Sequence, residues 1–454
     1  MSRYAVSIVR GNGDAVARTI DELKAGKPTV LDHVTIERSR PSPIDAYDPA
    51  TATFTIAHNL DDPETIFKLG DRVAVEITPE GSGDRHKIFH GYIDRIYTPA
   101  KGKGEKYRRT TFTAIDEKGI AARTYVGAPP WNYEPYSDRL ERFSTLYPRI
   151  SMEKGCNALV SDAYHFDNTT GTVVPEGAPQ LDIDSTSALE LFEKSAAATG
   201  DQVSAGEWKL WIKKKPVPRV VLYKRGNSVY RKLENSPQVP SNMIEDIGQE
   251  VSYSSRIAAI SASWTVVAWT STREVTRNWG DINDVGQRLT IDAHAAVSLP
   301  VTAEKLDAKR VEDLPVPVRI RQLVDSARAS GKPEPALDAL RLRRSLNPER
   351  FDYIAEVMGV AGGRDSEWDS AIEITGPAPY IKNRYQAVMG IRYELSANPR
   401  ESTLTLNAAP LALMAAGGMV WAQLRAGIPS LMFYELNSVT FADMAQIVTT
   451  STQG

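Results

Sequence analysis

The chain has 454 residues, with 54 Lys and Arg against 57 Asp and Glu, one cysteine and 28 prolines. That length suits about two to four domains and a sizeable core, and the composition excludes wholesale disorder. A net charge of −3 gives no global pull toward nucleic acid or anionic membrane, and Cys156 alone cannot close an intrachain disulfide or complete a cysteine-based zinc site.

Met1 to Asp14 is polar and broken by Gly11 and Gly13. It lacks the apolar stretch of a signal peptide, and residues 1–30 read as an N-terminal arm. Period-2 alternation then begins. His33-Val-Thr-Ile-Glu37, Thr51-Ala-Thr-Phe-Thr-Ile-Ala57, Arg72-Val-Ala-Val-Glu-Ile-Thr78, the run from Lys87 to Tyr97 and Thr110-Thr-Phe-Thr-Ala-Ile115 each place apolar residues on one face. Ala52, Phe54 and Ile56 form such a face, as do Val73, Val75 and Ile77. Strands this closely spaced, separated by Pro, Gly and Asp, predict a small barrel or sandwich, taken as a first β-barrel over 31–125. Pro99 to Arg109 holds Lys101, Lys103, Lys106, Arg108 and Arg109 without apolar periodicity, and reads as a solvated hairpin tip.

Residues 126–245 read as a connection followed by an α+β middle domain. Pro129, Pro130, Trp131, Tyr133, Pro135 and Tyr136 precede a short helix at Ser137–Tyr147, and Asn168 to Pro179 reads as an open loop. Ser187-Ala-Leu-Glu190 is a capping box that opens a helix with Leu189, Phe192 and Ala196 on its apolar face, and Gly200 is placed to stop it. Glu207-Trp-Lys-Leu-Trp-Ile212 and Arg219-Val-Val-Leu-Tyr223 then read as strands.

Residues 246–408 read as a second barrel with a helical insertion. Strands are expected at Glu250–Tyr253, Ala258–Trp269, Ala371–Thr375, Tyr385–Leu395 and Ser402–Leu406. Ile320, Leu323, Val324 and Ala327 share a helical face that Gly331 ends, and a weaker helix is expected over Ala336–Leu346. The apolar run Ala408 to Leu424 falls short of a membrane span and is interrupted by Pro410, Gly417, Gly418 and Gln423. Residues 409–454 are rich in large apolar groups. Trp421, Leu424, Phe433, Tyr434 and Phe441 are the candidate interface residues, because aromatics are enriched in interface cores.

An internal echo ties the two ends of the chain together. Ala74-Val-Glu-Ile-Thr78 recurs as Ala371-Ile-Glu-Ile-Thr375, each followed by a Pro/Gly turn. Phe89-His-Gly-Tyr-Ile-Asp-Arg-Ile-Tyr97 echoes Val388-Met-Gly-Ile-Arg-Tyr-Glu-Leu-Ser396, and Thr111-Phe-Thr-Ala-Ile115 echoes Thr403-Leu-Thr-Leu-Asn407. Three matches in the same order predict two copies of one barrel. The expected fold class is therefore α+β, mainly β: two related small β-barrels joined by an α+β middle domain. Gly91 and Gly390 sit where a strand needs a bulge or a close backbone approach.

The sequence assigns no catalytic, cofactor or metal site. It has no phosphate-binding Gly-x4-Gly-Lys loop, no Gly-x-Ser-x-Gly elbow and no His-Glu-x-x-His. His86 and His90 lie four apart in a strand-like run, about 13 Å along it, which does not suit a shared metal. Asp61-Asp62, Glu245-Asp246, Asp182 and Asp184 read as turns and caps, Lys213-Lys-Lys215 and Arg341-Leu-Arg-Arg344 as solvated faces, and Cys156 as an inert thiol.

Thr51-Ala-Thr-Phe-Thr-Ile56, Leu69-Gly-Asp-Arg-Val73, Ile88-Phe-His-Gly-Tyr-Ile-Asp94 and Thr113-Ala-Ile-Asp116, in that order, resemble the N-terminal domain of bacteriophage tail hub proteins, minor tail proteins of actinobacterial phages in particular. Ser187–Ile212 is similar to the family's middle domain and Ala371–Leu406 to its second barrel. Trp421-Ala-Gln-Leu424 and Pro429 to Asp443 look like its Trp/Tyr-rich tails. The resemblance implies a structural, non-enzymatic homotrimer at the distal end of the tail, assembled in the host cytoplasm. Three chains with two barrels each would form a ring of six quasi-equivalent positions, joining a six-fold tube to a three-fold tip. Its implied partners are the distal tail protein, the tape-measure protein and tail-tip proteins. DNA would pass through without specific binding. The alternatives are a hexameric distal tail ring, a tail-tip cell-wall hydrolase, and a carbohydrate-binding adhesin using the Trp131–Tyr136 cluster.

Overall fold

The computed structural model describes residues 5–18, 29–41, 47–59, 61–79, 84–100, 107–126, 136–147, 150, 164–167, 172–177, 186–198, 201–214, 220–225, 228–233, 237–252, 257–269, 271–281, 283–317, 320–321, 324, 336–359, 371–377, 384–396 and 398–410. The chain opens with β1 (Ala5–Arg10), β2 (Ala15–Arg18), β3 (Thr29–Ser39), β4 (Thr51–His58), β5 (Arg72–Thr78), β6 (His86–Tyr97) and β7 (Arg108–Ile115). Next come α1 (Glu117–Ala122), α2 (Tyr136–Leu146), β8 (Tyr164–Asp167), β9 (Thr172–Gly177), α3 (Ala188–Ala198), β10 (Asp201–Gly206), β11 (Lys209–Lys214), β12 (Val220–Arg225) and β13 (Ser228–Leu233). They are followed by β14 (Gln238–Pro240), β15 (Ile244–Glu250), β16 (Ile257–Val267), β17 (Thr272–Gly280), β18 (Gln287–Ser298) and α4 (Ala303–Asp307). The last elements are β19 (Ala336–Arg343), α5 (Pro348–Val357), β20 (Ala371–Thr375), β21 (Tyr385–Ser396) and β22 (Thr403–Pro410).

The fold is mainly β with few helices. Thirteen strands form one sheet, ordered β15-β19-β22-β21-β3-β4-β7-β6-β5-β1-β2, with β20 beside β21 and β14 beside β20. Within this order lies a repeat. One half reads β3-β4-β7-β6-β5-β1 and the other β15-β19-β22-β21-β20-β14. The corresponding strands occur in the same chain order, so the echo of three segments extends to six. One pairing departs: β1 is antiparallel to β5, whereas β14 is parallel to β20. The echoed residues Ala74–Thr78 and Ala371–Thr375 also share one burial pattern, four buried residues and a half-buried threonine.

Both halves contribute to a single core. Phe54, Phe67 and Phe112 cluster there, their ring centroids 5.5–6.1 Å apart, together with Leu340, Leu404, Ile391 and the buried face of α5. Asn347 caps α5 by accepting from the Arg350 N–H at 3.2 Å, and Pro348 follows at its first position. Phe351, Ile354, Ala355 and Met358 bury its apolar stripe. Arg344 anchors the helix through a buried two-bond pair, Nε to Asp352 Oδ1 at 2.8 Å and a terminal nitrogen to Oδ2 at 3.0 Å.

A second core gathers α1, α2, α3, β10, β11 and the strands β16, β17 and β18 of a sheet ordered β17-β16-β18-β9-β8. In that sheet β16 and β18 are parallel and the other pairs antiparallel. The capping box holds: the Glu190 N–H donates to Ser187 Oγ at 3.1 Å, and Leu189, Phe192 and Ala196 are buried. Among the described residues no helix is long and apolar enough to cross a membrane.

Several expectations need correction. Residues 1–30 are not simply an arm, because β1 and β2 extend the main sheet. The expected loop at Asn168–Pro179 contains β9. Ala336–Leu346 is a strand and a 3-10 turn rather than a helix. Ala, Leu and Arg favour helix, but ladders to β15 on one side and β22 on the other override that preference. The insertion within 246–408 is chiefly a sheet, β16 to β18, and packs with the middle core. Of the expected helix around Ile320, the described residues include Ile320 and Val324, both buried.

Arg344→Met strands a buried carboxylate and should cost about 3–5 kcal/mol of unfolding free energy. A guanidinium titration reads this, and adding Asp352→Leu should recover most of the loss. A single variant within about 0.5 kcal/mol of wild type, the size of an ordinary surface change, would contradict that anchor.

Candidate functional site

The feature that organises the molecule is the joint between the two repeats. On one edge β21 carries β22. On the other it carries two strands in turn: residues 385–387 pair with β20, and residues 390–396 pair with β3. The β3 ladder runs antiparallel from Gly390 opposite Ser39 to Ser396 opposite His33. Gly390 marks the changeover, at a bulge against β22. There the Val388 carbonyl accepts the Tyr47 hydroxyl at 3.0 Å and the Arg40 guanidinium, while the Arg40 N–H donates to Met389 O at 2.9 Å. Across the ladder Arg392 pairs with Glu37 at 3.1 Å. That pair is half exposed and contributes little energy, but it favours one register.

Two elements brace the joint. Along α5, Met358 O accepts from Arg38 at 3.2 Å, Ala355 O accepts from the Tyr393 hydroxyl at 2.9 Å, and Glu356 Oε1 meets His86 Nδ1 at 2.9 Å. One helix thus touches β3, β21 and β6. The second brace is Tyr47. Arg38 and Arg40 lie over its ring at 4.4 and 4.7 Å, and its carbonyl accepts from Lys118, which also pairs with Glu193 of α3 at 2.8 Å. Asp116 caps α1 through Gly119 N–H at 3.0 Å and receives Ala50 N–H at 2.9 Å. Burial pushes its carboxyl up to about 6, against the pull of those backbone donors and of Lys118 and Arg38.

A third contact ties the middle core to the sheet. Glu207 and Trp208 form the two-residue loop between β10 and β11, both at positive φ (49° and 58°). Side chains other than glycine rarely hold that conformation, so the loop is strained. Seating of Trp208 on β6 offsets the strain. Its indole N–H donates to Gly91 O at 2.9 Å, and its ring meets His90 edge-on at 4.9 Å. Glycine at 91 is required by a different approach, that of β6 to β7: an added Cβ would sit 2.4 Å from Ile115 O and 2.7 Å from the Phe89 ring. The sequence reading took Glu207–Ile212 as continuous strand and missed this turn, since neither residue type signals it. His90 is buried and neither ring nitrogen has a hydrogen-bond partner among the described residues. Burial, then the Lys87 charge, lowers its pKa to about 4.

The remaining sequence candidates are distributed differently. Trp421, Leu424, Phe433, Tyr434 and Phe441, together with Cys156, Asp182, Asp184 and the aromatics of 129–135, lie outside the described residues. His86 and His90 are not brought together on a metal: one pairs with Glu356, the other is buried under Trp208. Of the basic cluster at 341–344, Arg341 and Arg343 meet Glu245 at 3.4 and 2.7 Å, and Arg344 is the α5 anchor. Asp62 caps the short turn at Pro63–Thr65. Among the described residues, no three His, Cys, Asp or Glu side chains gather in a metal-holding group.

This architecture has counterparts among solved structures. The 43 kDa tail protein of prophage MuSo2 from Shewanella oneidensis matches at a TM-score of 0.50 and 10% identity, over 90% of this chain and 99% of that one. The chain has the fold of a phage tail protein. A tail protein from Neisseria meningitidis MC58 gives 0.49 at 12% identity, over 90% of this chain and 98% of that one. No family model matches the sequence, and no curated protein matches it.

Sign and size can be assigned to the buried His90. Its depressed pKa means the unfolded chain takes up a proton between about pH 6.5 and 4 that the folded chain refuses. Stability therefore falls with acidification across that window, by on the order of 2–3 kcal/mol. Asp116, raised, contributes with the opposite sign and is common to wild type and variant. The Tm of His90→Phe should accordingly gain on wild type as pH drops from about 7 to 4.5. A Tm difference that stays constant over that range would contradict the assignment.

Proposed function

We propose that the chain is a structural tail hub protein at the distal end of a phage tail. One observation carries this reading: two repeats of the same strand order lie side by side in one sheet, in a chain with a tail-protein fold. The two repeats are two related small barrels, and the middle core is the α+β domain between them. A homotrimer then presents six like units, enough to meet a six-fold tube on one face while keeping three-fold symmetry on the other. The ring surrounds the channel for tape-measure protein and DNA. DNA passes without specific binding, since a channel that held many phosphates would retain its cargo.

The role is mechanical, and no catalytic step is assigned. The distal tail protein lies above the ring and tail-tip proteins below. The C-terminal segment 409–454, with Trp421, Leu424, Phe433, Tyr434 and Phe441, supplies apolar contacts to those neighbours. The chain is assembled in the host cytoplasm and ends in the virion tail.

Antibody-gold labelling of intact particles tests the placement. Label confined to the distal tail end is the expected result. Label along the tube or on the head would overturn it.

A further inference from the structure

The joint inside the chain specifies a second joint between chains. Each strand of the β3–β21 ladder has a counterpart in the other repeat, and neither counterpart has a partner on the relevant edge among the described residues. The counterpart of β3 is β15, which ends the sheet with β19 on one side only. The counterpart of β21 is β6. On the edge shared with β5, its backbone is matched as far as Ile93, which exchanges bonds with Gly70 and Asp71. Asp94 to Tyr97 continue past that point with only β7 beside them, and Tyr97 is exposed.

We propose that β15 of one chain adds antiparallel to residues 94–97 of β6 in a second copy of the chain, repeating between molecules the ladder that β3 and β21 make within one. This deepens the hub reading and rests on it, for it names the surfaces that close the ring.

The register follows from the ladders. Thr113 faces Arg95 across β6 and β7, and Thr405 faces Arg392 across β21 and β22. Phe112 faces Ile96 as Leu404 faces Tyr393. Arg95 and Ile96 therefore correspond to Arg392 and Tyr393, not to Glu394 and Leu395 as the sequence echo aligned them. On the far side, Thr113 leads through Thr53 to Thr35, and Thr405 leads through Arg341 to Asp246. Ala114 leads through Ala52 to Ile36, and Leu406 through Leu340 to Ile247. Within the chain Ile36 faces Tyr393 and Glu37 faces Arg392. Between chains Ile247 then faces Ile96, and Gly248, next along β15, faces Arg95. Ile247 and Ile96 are half-buried residues against the common core, and the new ladder sets them side by side.

Charge favours this pairing over the self-pairing of two β15 edges. β15 carries Glu245, Asp246 and Glu250 and no cation. Glu245 is held by Arg341 and Arg343, and two copies edge to edge would still oppose the like charges of Asp246 and Glu250. Arg108 and Arg109 open β7 beyond the end of β6, and an antiparallel β15 brings its acidic start toward them. The contact is heterologous, joining different surfaces of the two copies. Such contacts build rings when the rotation closes. It also covers an edge that would otherwise template uncontrolled association.

The test is a disulfide across the new ladder. Gly248 accepts a side chain, since an added Cβ meets nothing nearer than 3.6 Å. With Cys156→Ser as background, Gly248→Cys with Arg95→Cys should give covalent species of two and three chains on oxidation, ending at three. Either cysteine alone should give at most a symmetric dimer. A trimer by light scattering that yields no such series would overturn the joint and leave the ring standing. A monomer at every concentration, without cross-linking, would overturn both. A disulfide confined to single chains would also overturn the joint. Asp246→Lys, exposed and at the acidic start of β15, provides the second reading. It should weaken assembly at least tenfold at low salt, and undiminished assembly would overturn the proposal.

Discussion

The backbone ladder between β3 and β21 turns two repeats into one body. Without it, each half of the sheet would end on an open edge and the shared core would split along Ile36 and Tyr393. Its hydrogen bonds depend on β21 outrunning β20, so that one strand serves two partners on the same edge. The changeover leaves the Val388 carbonyl for Tyr47 and Arg40, and α5 spans the seam from Arg38 to Tyr393 to His86. These contacts are polar and directional. They fix the angle between the halves more than they add stability, because net hydrogen-bond contributions are about 1 kcal/mol each.

A fixed angle is what the proposed ring needs. A joint that flexed would let identical chains close into rings of different size. The strain held at Glu207 and Trp208 serves the same end, since the hairpin tip clamps the middle core to β6 through the Gly91 carbonyl. Two groups with shifted pKa values lie in these seams, His90 under the clamp and Asp116 as the α1 cap. Their perturbation follows from burial in packed seams, which is a structural cause rather than a catalytic one.

Much of this was legible in the sequence. Alternation at Ala52, Phe54 and Ile56 gave β4 its buried face, and Ser187 with Glu190 marked the start of α3. The echo around Gly91 and Gly390 pointed to equivalent strands, and the two glycines proved to do different jobs: one lets β6 lie close against Ile115 of β7, the other sits at a bulge. What stayed hidden was set by tertiary pairing. β19 is written in helix-forming residues and becomes a strand because two neighbours claim its backbone. The counterparts β15 and β3 share no sequence signature, so their equivalence emerges only from strand order. Asn347-Pro348-Glu349 does carry a capping signal, and attention to it would have located α5.

The central claim is that two like units per chain make a six-unit ring from three chains. The most direct test is the absolute mass of the purified protein by light scattering, with symmetry analysis of particle images from the same fraction. The account predicts three times the 50.0 kDa chain mass and a holed ring that looks six-fold at low resolution and three-fold in detail. A six-chain ring with one unit facing each tube position, or a stable two-fold dimer, would contradict it.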